Sequence, residues 1–517
     1  MRGAESLVHT LVKGGVDHCF ANPGTSEMHF VAALDVIPGV RCVLGLQENV
    51  VTGAADGFWR MTDNPAATLL HCGPGLANGL ANLHNARRAR SGIVNVVGDQ
   101  ATYHRPFDAP LTADTEGWAR GVSAWVRTSV KAETVGADAA VAIQTARTYP
   151  GQIATLILPS DSSWNEGGVV GEPLPVAPPA GLDPQQVKNA ARILREKKNA
   201  LLLLGGRAMR EEGQRLAHRI EVATGCKVMS EIYNGRFQRG RGRLPIDRVP
   251  YAGAAAREML KSYEHIVMAG AIPPVAFFAY PDRPSFHHPE NAGLYVLARP
   301  EQDVLQALQA LVDELGAPEA AIPDAGPRPE LPKGAISPES VAALVAALMP
   351  ENTIVADESI GYGRAFGRAT LSAPPHDWLP LTGGAIGCGL PLATGAAVGA
   401  RSIGQGDRRV LNLQADGSAL YTVQALWTQA REKLPVTTLI FANRKYASLL
   451  DEYRGVGANP GRTAIDMLDL GNPDINWVHL AAGMGVEAAK AETLDACADL
   501  MRQSFKRPGP FLIELVI

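Results

Sequence analysis

Residues 410–418 read Val-Leu-Asn-Leu-Gln-Ala-Asp-Gly-Ser, and the residues that follow set Leu420, Val423, Leu426, Trp427 and Ala430 on one helical stripe. An apolar run of strand length, Val410–Leu413, thus passes through a polar turn into an amphipathic helix. An Asp at a strand end, with Gly-Ser opening a helix, sets a carboxylate beside backbone N–H groups that lack helical partners. A phosphate can rest on such amides while the carboxylate holds a divalent cation against it. Asn443 follows the next apolar run, Val436–Ala442. On adjacent parallel strands the side chains of Asp416 and Asn443 share one rim, where oxygen ligands suit Mg²⁺. Each residue alone also reads as a cap, Asp416 of a helix and Asn443 of a strand end.

The same strand–loop–helix grammar runs through the chain. Ala67–His71 and Ile93–Val97 read as buried strands, after a helix marked by Leu7, Val8, Leu11 and Val12. Ala200–Leu204 leads through Gly205-Gly206 to a charged helix from Arg210, followed by His265–Ala269 and Leu294–Ala298. Thr353–Ala356 and Phe511–Val516 complete the last set. This is the βαβ pattern of a parallel sheet, used three times, and it predicts an α/β protein of three doubly wound domains. Gly171–Gln186 and Leu315–Pro338 are dense in Pro, Gly and Ala and show no hydrophobic period, so they read as linkers. The blocks are 1–170, 187–314 and 339–517. Ligands on such sheets bind at the carboxyl ends of strands.

Composition narrows the class. Of 517 residues 46% are hydrophobic and 19% charged, which excludes a disordered chain. The net charge of −4, without basic runs, leaves no nucleic-acid or membrane-binding footprint. Six scattered cysteines have neither C-x-x-C nor zinc spacing and read as reduced core residues. The uncharged stretch Thr382–Ala400 has membrane-spanning length, but its glycines argue for a turn and a packed helix. With no signal-peptide core at the N-terminus, a cytoplasmic location is expected.

Three further stretches carry chemistry. Leu46-Gln47-Glu48-Asn49 opens a helix rich in small residues, Gly53, Ala54, Ala55 and Gly57, where Glu48 is at least a first-turn carboxylate favoured by the dipole. Gly383-Gly384-Ala385-Ile386-Gly387-Cys388-Gly389-Leu390-Pro391 lets backbone approach a ligand closely, with a stiff β-branched residue at its centre. Asn22-Pro23-Gly24-Thr25 and His71-Cys72-Gly73-Pro74-Gly75 each follow a strand. The second is a near miss to a dinucleotide fingerprint, and Pro74 argues against that reading. Adjacent strand residues face opposite ways, so a Cys72–His71 nucleophilic pair is not expected.

In this order the stretches resemble the thiamine-diphosphate (ThDP) enzymes of the acetolactate synthase, benzoylformate decarboxylase and pyruvate decarboxylase superfamily. The family's Gly-Asp-Gly and Asn-Asn pattern stands here as Ala415-Asp416-Gly417 and Ala442-Asn443. The resemblance implies an N-terminal pyrimidine-binding domain, a central domain and a C-terminal diphosphate-binding domain. It implies Mg²⁺ on Asp416, Asn443 and the Lys445 carbonyl, with Gly417 in the turn and the amides of Ser418 and Ala419 on the diphosphate. Glu48 would engage the pyrimidine N1′, the Gly384 carbonyl would accept from the 4′-amino group, and Ile386 would wedge the two rings together. By the match to benzoylformate decarboxylase, Thr25 would bind a substrate carboxylate and His71 would relay a proton.

Departures shape the activity expected. The second active-site His of that decarboxylase should fall near Phe277–Tyr280, which reads Phe-Phe-Ala-Tyr. Tyr446–Arg454 should form a helix over the pocket, lined by Ser448, Leu449 and Glu452, the last a charge where the decarboxylase is apolar. The resemblance thus implies a 2-oxo acid decarboxylase and carboligase, acetolactate synthase-like, that forms a hydroxyketone through an enamine. Simple decarboxylation and hydroxyacyl C–C cleavage are its alternatives. A regulatory or scaffold protein on the same fold is the non-enzyme alternative, against which Glu48, Asp416 and Asn443 all stand. The partners implied are a small carbonyl substrate and further copies of the chain, as a homodimer or homotetramer with active sites between subunits. The Gly53–Gly57 face is implied to be a dimer contact. FAD is expected to be absent from the middle block.

Overall fold

The computed structural model describes residues 1–517. Three sheets carry the fold. The first holds β1 (His18–Ala21), β2 (Arg41–Leu44), β3 (Ala66–Leu70), β4 (Ile93–Asp99), β5 (Trp125–Thr128) and β6 (Ile153–Pro159), all parallel, in the order β2-β1-β3-β4-β6-β5. β4 and β6 are buried at every residue, as continuous Ile/Val/Leu runs demand when helices cover both faces.

The second sheet draws on β7 (Ala200–Leu204), β8 (Lys227–Ser230), β10 (Asp247–Arg248), β11 (His265–Ala269) and β12 (Gly293–Ala298), parallel in the order β10-β8-β7-β11-β12. The intervening β9 (Phe237–Arg239) leaves that sheet and pairs antiparallel with the edge of the third. The third comprises β13 (Ile354–Glu358), β14 (His376–Pro380), β15 (Val410–Ala415), β16 (Val436–Ala442), β17 (Glu487–Ala491) and β18 (Phe511–Val516), ordered β17-β18-β16-β15-β13-β14-β9. Phe237 is buried there, and Arg236 beside it donates to the buried Asp377 at 2.7 Å. Phe-Gln-Arg is too short to show a period, so the sequence does not reveal this crossing.

One expected linker residue set turns out to start a helix. Asp183 caps the helix Pro184–Glu196, accepting from the Gln185 N–H at 2.8 Å, with Pro184 at the first helical position. The same Asp-Pro pair that lends the stretch its linker composition is a helix-start signal.

The Glu48–Thr62 helix packs on the Gly389–Ser402 helix of its own chain. A Cβ on Gly395 would stand 1.8 Å from the Ala54 carbonyl oxygen, and one on Gly57 would stand 2.2 Å from that of Leu392. The small-residue face expected to meet another subunit is therefore occupied within the chain. Phe20, Val51, Ala54 and Phe58 share one apolar cluster with Leu392, Ala396, Val410 and Val436. No helix is long and apolar enough to cross a membrane. All six cysteines are free thiols, five of them buried; Cys42, opposite Cys19 in the β1–β2 register, is exposed and not the core residue expected.

Glu231 follows β8 at the carboxyl end of the second sheet, almost wholly buried. Its Oε2 accepts the Ile272 N–H at 3.3 Å, and burial pushes its carboxyl from 4.5 up to about 7. Below the unfolded value both states are protonated. Between the two values the folded chain keeps a proton that the unfolded chain releases, so this group's stabilisation is lost as pH rises toward 7, by ~3 kcal/mol in all. Glu231→Gln removes that slope. Urea denaturation should find the variant close to wild type near pH 4.5 and more stable near pH 8; parallel stability–pH curves would refute the assignment.

Candidate active site

Asp416 stands where β15 meets the one-turn helix Asp416–Ala419. Its Oδ1 accepts the Gly417 N–H at 2.8 Å and its Oδ2 the Arg444 N–H at 2.7 Å. β15 and β16 pair in register, Ala415 beside Phe441, so Asn443 arrives next to Asp416 on the same rim. Asn443 Oδ1 accepts the Lys445 N–H at 3.0 Å. Burial raises the Asp416 carboxyl, and the backbone N–H groups oppose that rise. Gly417 lies under Tyr446, whose ring is 2.5 Å from where a Cβ would stand. Carboxylate, amide and carbonyl oxygens make a hard donor set that fits Mg²⁺, and Ser418 and Ala419 lie in a helical first turn, where amides are free for an anion.

The glycine-rich turn is held from two sides. Gly384 and Gly387 have φ of 83° and 94°. From the Cys72–Ala89 helix, Asn85 donates to the Ala385 carbonyl at 2.8 Å and Asn82 to that of Gly387 at 3.1 Å. From β13, the buried Glu358 carboxylate accepts the N–H groups of Gly387, Cys388 and Gly389 at 2.7, 3.1 and 2.8 Å. It also accepts Gln414 Nε2 at 2.9 Å, and that amide reaches Ser418 Oγ at 2.8 Å. Glu358 and Gln414 therefore tie the half-buried Ile386 turn to the Asp416 turn. Neither was singled out by sequence; the available signal was an acid at the carboxyl end of a buried strand.

Glu48, His71 and their neighbours form a second group. Gln47 caps the Glu48 helix, accepting from the Asn49 and Val50 N–H groups at 2.6 and 3.2 Å. Glu48 is buried, and its Oε2 accepts Asn78 Nδ2 at 3.0 Å. A Cβ on Gly75 would stand 2.7 Å from Glu48 Oε1 and 3.3 Å from His71 Cβ, so the two residues flank one glycine. His71 Nδ1 lies 3.0 Å from Glu27 Oε2. A carboxylate only accepts, so Nδ1 carries the proton and Nε2 is the basic face. Thr25 is exposed; the hydroxyl that approaches His71, at 3.3 Å, belongs to Ser26.

The expected divergence of His71 and Cys72 does not hold. β3 ends at Leu70, and Cys72 enters the helix with φ of 53°, which turns its thiol back toward the imidazole. Cys72 Sγ lies 3.1 Å from Ser26 Oγ. Burial pushes the thiol up to about 11, so it stays protonated and is no nucleophile at neutral pH.

Ser448, Leu449 and Glu452 ride on the helix Ala447–Gly455. Tyr280 donates to both Glu452 oxygens at 2.5 and 2.6 Å. Phe277, three residues earlier, lays its ring on Gly384, 2.5 Å from a built Cβ. The two groups meet at Asn82, whose Nδ2 donates to the Asn49 carbonyl at 2.8 Å and to that of Gly387 at 3.1 Å. The Glu48 carboxylate itself accepts from Asn78, one helical turn before Asn82.

Glu358→Gln places an N–H₂ where the carboxylate now meets only donors. The variant should lose ~1–3 kcal/mol of stability in urea unfolding, the cost of stranding a buried backbone N–H. An unchanged midpoint would show that the turn stands without this acceptor.

Comparison with known proteins bears on this geometry. The N-terminal TPP-binding domain of thiamine pyrophosphate enzymes matches residues 1–119, and their C-terminal TPP-binding domain matches residues 362–515. A Mycobacterium tuberculosis protein, provisionally named acetolactate synthase large subunit IlvX, is 49% identical over 100% of this chain and 99% of its own. Benzoylformate decarboxylase of Pseudomonas aeruginosa is 28% identical over 98% of this chain and 97% of its own. The solved ThDP-dependent 4-hydroxybenzoylformate decarboxylase of Rhodococcus jostii RHA1 shares the fold, with a TM-score of 0.84 at 24% identity, over 99% of this chain and 98% of its own. The chain belongs to the thiamine-diphosphate-dependent enzymes of carbon–carbon bond chemistry, with acetolactate synthase-like and benzoylformate decarboxylase-like relatives.

Proposed function

We propose that this enzyme is a ThDP- and Mg²⁺-dependent 2-oxo acid decarboxylase and carboligase that forms a hydroxyketone. The observation that carries the reading is the junction of the Asp416–Asn443 rim with the Gly384–Ile386 turn through Glu358, Gln414 and Ser418. Bound there, ThDP supplies an electron sink for the carbon–carbon bond beside a 2-oxo group. Asp416, Asn443 and the Lys445 carbonyl hold Mg²⁺, while Ser418 and Ala419 amides bind the diphosphate. The Gly384 carbonyl accepts from the aminopyrimidine and Ile386 props the rings. Glu48, shielded from water, holds a proton at the pyrimidine nitrogen.

His71 Nε2 moves a proton to or from the substrate's carbonyl oxygen, with Nδ1 fixed by Glu27. Thr25 binds the carboxylate at the exposed rim. The aromatic residues at Phe277–Tyr280, where the decarboxylase's second His would fall, support ligation over a release step that uses that imidazole. Non-oxidative decarboxylation is the second reading, supported by the benzoylformate decarboxylase relative.

Residues 1–170 serve as the pyrimidine-binding domain and 339–517 as the diphosphate-binding domain, paired between subunits of a homodimer or homotetramer. One observation supports the pairing. Tyr103 and Phe107, 65% and 74% exposed, give the N-terminal block an apolar surface fit for a partner.

Thermal melting with ThDP and Mg²⁺ should raise the midpoint, by ~2.7 kcal/mol of linkage at a hundredfold excess over Kd, and EDTA should reverse the metal's share. Glu48→Gln should keep that shift yet slow exchange of the thiazolium C2 proton ~100-fold or more by NMR. Wild-type protein without exchange would end the enzyme reading. Products from a panel of 2-oxo acids, sorted into hydroxyketone and aldehyde, decide between the two reactions.

A further inference from the structure

We infer that Glu27, His71 and Cys72 form a second metal site, selective for a thiophilic divalent cation such as Zn²⁺, and that an ion bound there switches off proton transfer at His71. The binding stands on the cluster alone; its effect on turnover rests on the proposed function.

β1 and β3 are neighbours in the first sheet, Ala21 beside Leu69, and the loops that leave their carboxyl ends converge. The first runs into the single turn Thr25–Glu27, the second into His71 and the start of the Cys72–Ala89 helix. A carboxylate oxygen of Glu27, a ring nitrogen of His71 and Cys72 Sγ all lie within 4.8 Å of one another. His71 Nδ1 is 3.2 Å from Glu27 Oε1, and Cys72 Sγ is 3.9 Å from the same oxygen. Ser26 Oγ stands 3.3 Å from Nδ1 and 3.1 Å from Sγ, within reach as a fourth ligand. Zinc bonds of ~2.0–2.3 Å set ligand atoms roughly 3.3–3.8 Å apart in a tetrahedron, so small side-chain rotations complete the shell.

Burial and charge both favour an ion here. Glu27 and Cys72 are 3% and 1% exposed, and His71 is the only basic side chain within 4.0 Å of Glu27. The Gly24 N–H anchors Oε2 at 2.7 Å, while Gly98 leaves room for Oε1, which a Cβ there would strike. The His71 side chain, 23% exposed, opens the cluster to solvent. In the absence of a metal, Ser26, His71 and Cys72 all direct protons at one carboxylate. A carboxylate and a thiolate together balance a divalent charge. Sulfur and imidazole ligands select Zn²⁺ or Cd²⁺, whereas the all-oxygen set at Asp416 suits Mg²⁺. Glu27 and His71 are 44 residues apart, so no short zinc spacing reveals the site.

The consequence for His71 follows from its tautomer. Nδ1 carries the proton and Nε2 is the basic face. A cation at Nδ1 takes the place of that proton, which passes through water to Nε2, and the Cys72 proton leaves to solvent. Nε2 then holds a hydrogen where it had a lone pair, and it can no longer accept one from the substrate.

The test titrates the ThDP- and Mg²⁺-loaded protein with Cd²⁺, followed by ultraviolet thiolate-to-metal charge transfer, and with Zn²⁺ by calorimetry. Wild type should bind one equivalent and show the band. Cys42→Ser, which removes the exposed thiol, should keep the band; Cys72→Ser should lose it and weaken Zn²⁺ ~100-fold or more. Glu27→Gln, which keeps the thiol, should weaken Zn²⁺ as well and serves where Cys72→Ser does not fold. One equivalent of Zn²⁺ should lower wild-type turnover of the fastest 2-oxo acid ~100-fold or more, while C2 exchange, which depends on Glu48, continues. A band absent from wild type, the behaviour of a mere hydrogen-bond network, or one retained in Cys72→Ser, overturns the inference. Equal inhibition of wild type and Cys72→Ser overturns it too and assigns the effect to the Asp416 rim. Binding without loss of turnover overturns the switch at His71. Absence of C2 exchange before Zn²⁺ is added, with the band intact, sinks the proposed function and leaves the metal site standing.

Discussion

A single buried carboxylate organises the centre of this molecule. Glu358 accepts three consecutive backbone N–H groups at the start of the Gly389–Ser402 helix and a fourth from Gln414. Three amides in succession converge on one acceptor only where the chain bends sharply; the φ of 94° at Gly387 permits the bend, and Gly389 leaves room for Glu358, whose Cβ would lie 2.9 Å from a Cβ there. Burial raises its carboxyl, and the converging N–H groups and the helix N-terminus at which it sits oppose that rise. Without it, the turn that carries Ile386 would have buried amides and no partner. With it, the turn has one conformation, tied by a side-chain amide to the Asp416 helix.

The same turn explains why two sheets so distant in sequence are fixed against one another. Asn82 and Asn85 come from the first block and bond carbonyls of the turn, while Glu358 comes from the last. The helices that follow Glu48 and Gly389 touch backbone to backbone because Gly57 and Gly395 lack side chains. The Arg60 guanidinium is buried, paired with Asp56 one turn earlier on the same helix at 2.6 Å and donating to the Pro380 carbonyl of the last block at 2.7 Å. A buried ion pair adds little net stability, but this one aims the guanidinium at a carbonyl of the third sheet.

How much of this was legible in the sequence follows from the range of each interaction. Buried strands showed themselves because their hydrophobicity is local: β7, β11, β16 and β18 lie on the apolar runs that predict them. Asp416 and Asn443 were legible because parallel pairing turns a sequence interval into a shared rim. Glu358, Ser26 and Tyr280 were not, since each acts on a partner that only the tertiary fold supplies. The His71–Cys72 geometry failed for a different reason. Strand alternation was carried one residue too far, past the point where a left-handed φ at Cys72 reverses the side chain. The chemistry-bearing motifs also carried the family resemblance, whereas β9, a three-residue strand from the middle of the chain, had no signature of its own.

Three buried acids at strand ends show how donor count separates a structural carboxylate from one that can take a ligand. Glu358 has four donors, which oppose but do not cancel the rise that burial imposes on its carboxyl. Glu231 has one, the Ile272 N–H, and meets its deficit by holding a proton up to about pH 7. Asp416 lies between them, with the Gly417 and Arg444 N–H groups and a carboxyl raised by burial, but it sits beside the half-buried oxygen of Asn443 at the rim of the sheet. A proton would answer its charge without using the neighbouring oxygens. A divalent cation would answer the charge and use all of them, the role the proposed function gives Asp416, whereas the deficit at Glu231 is met by a proton.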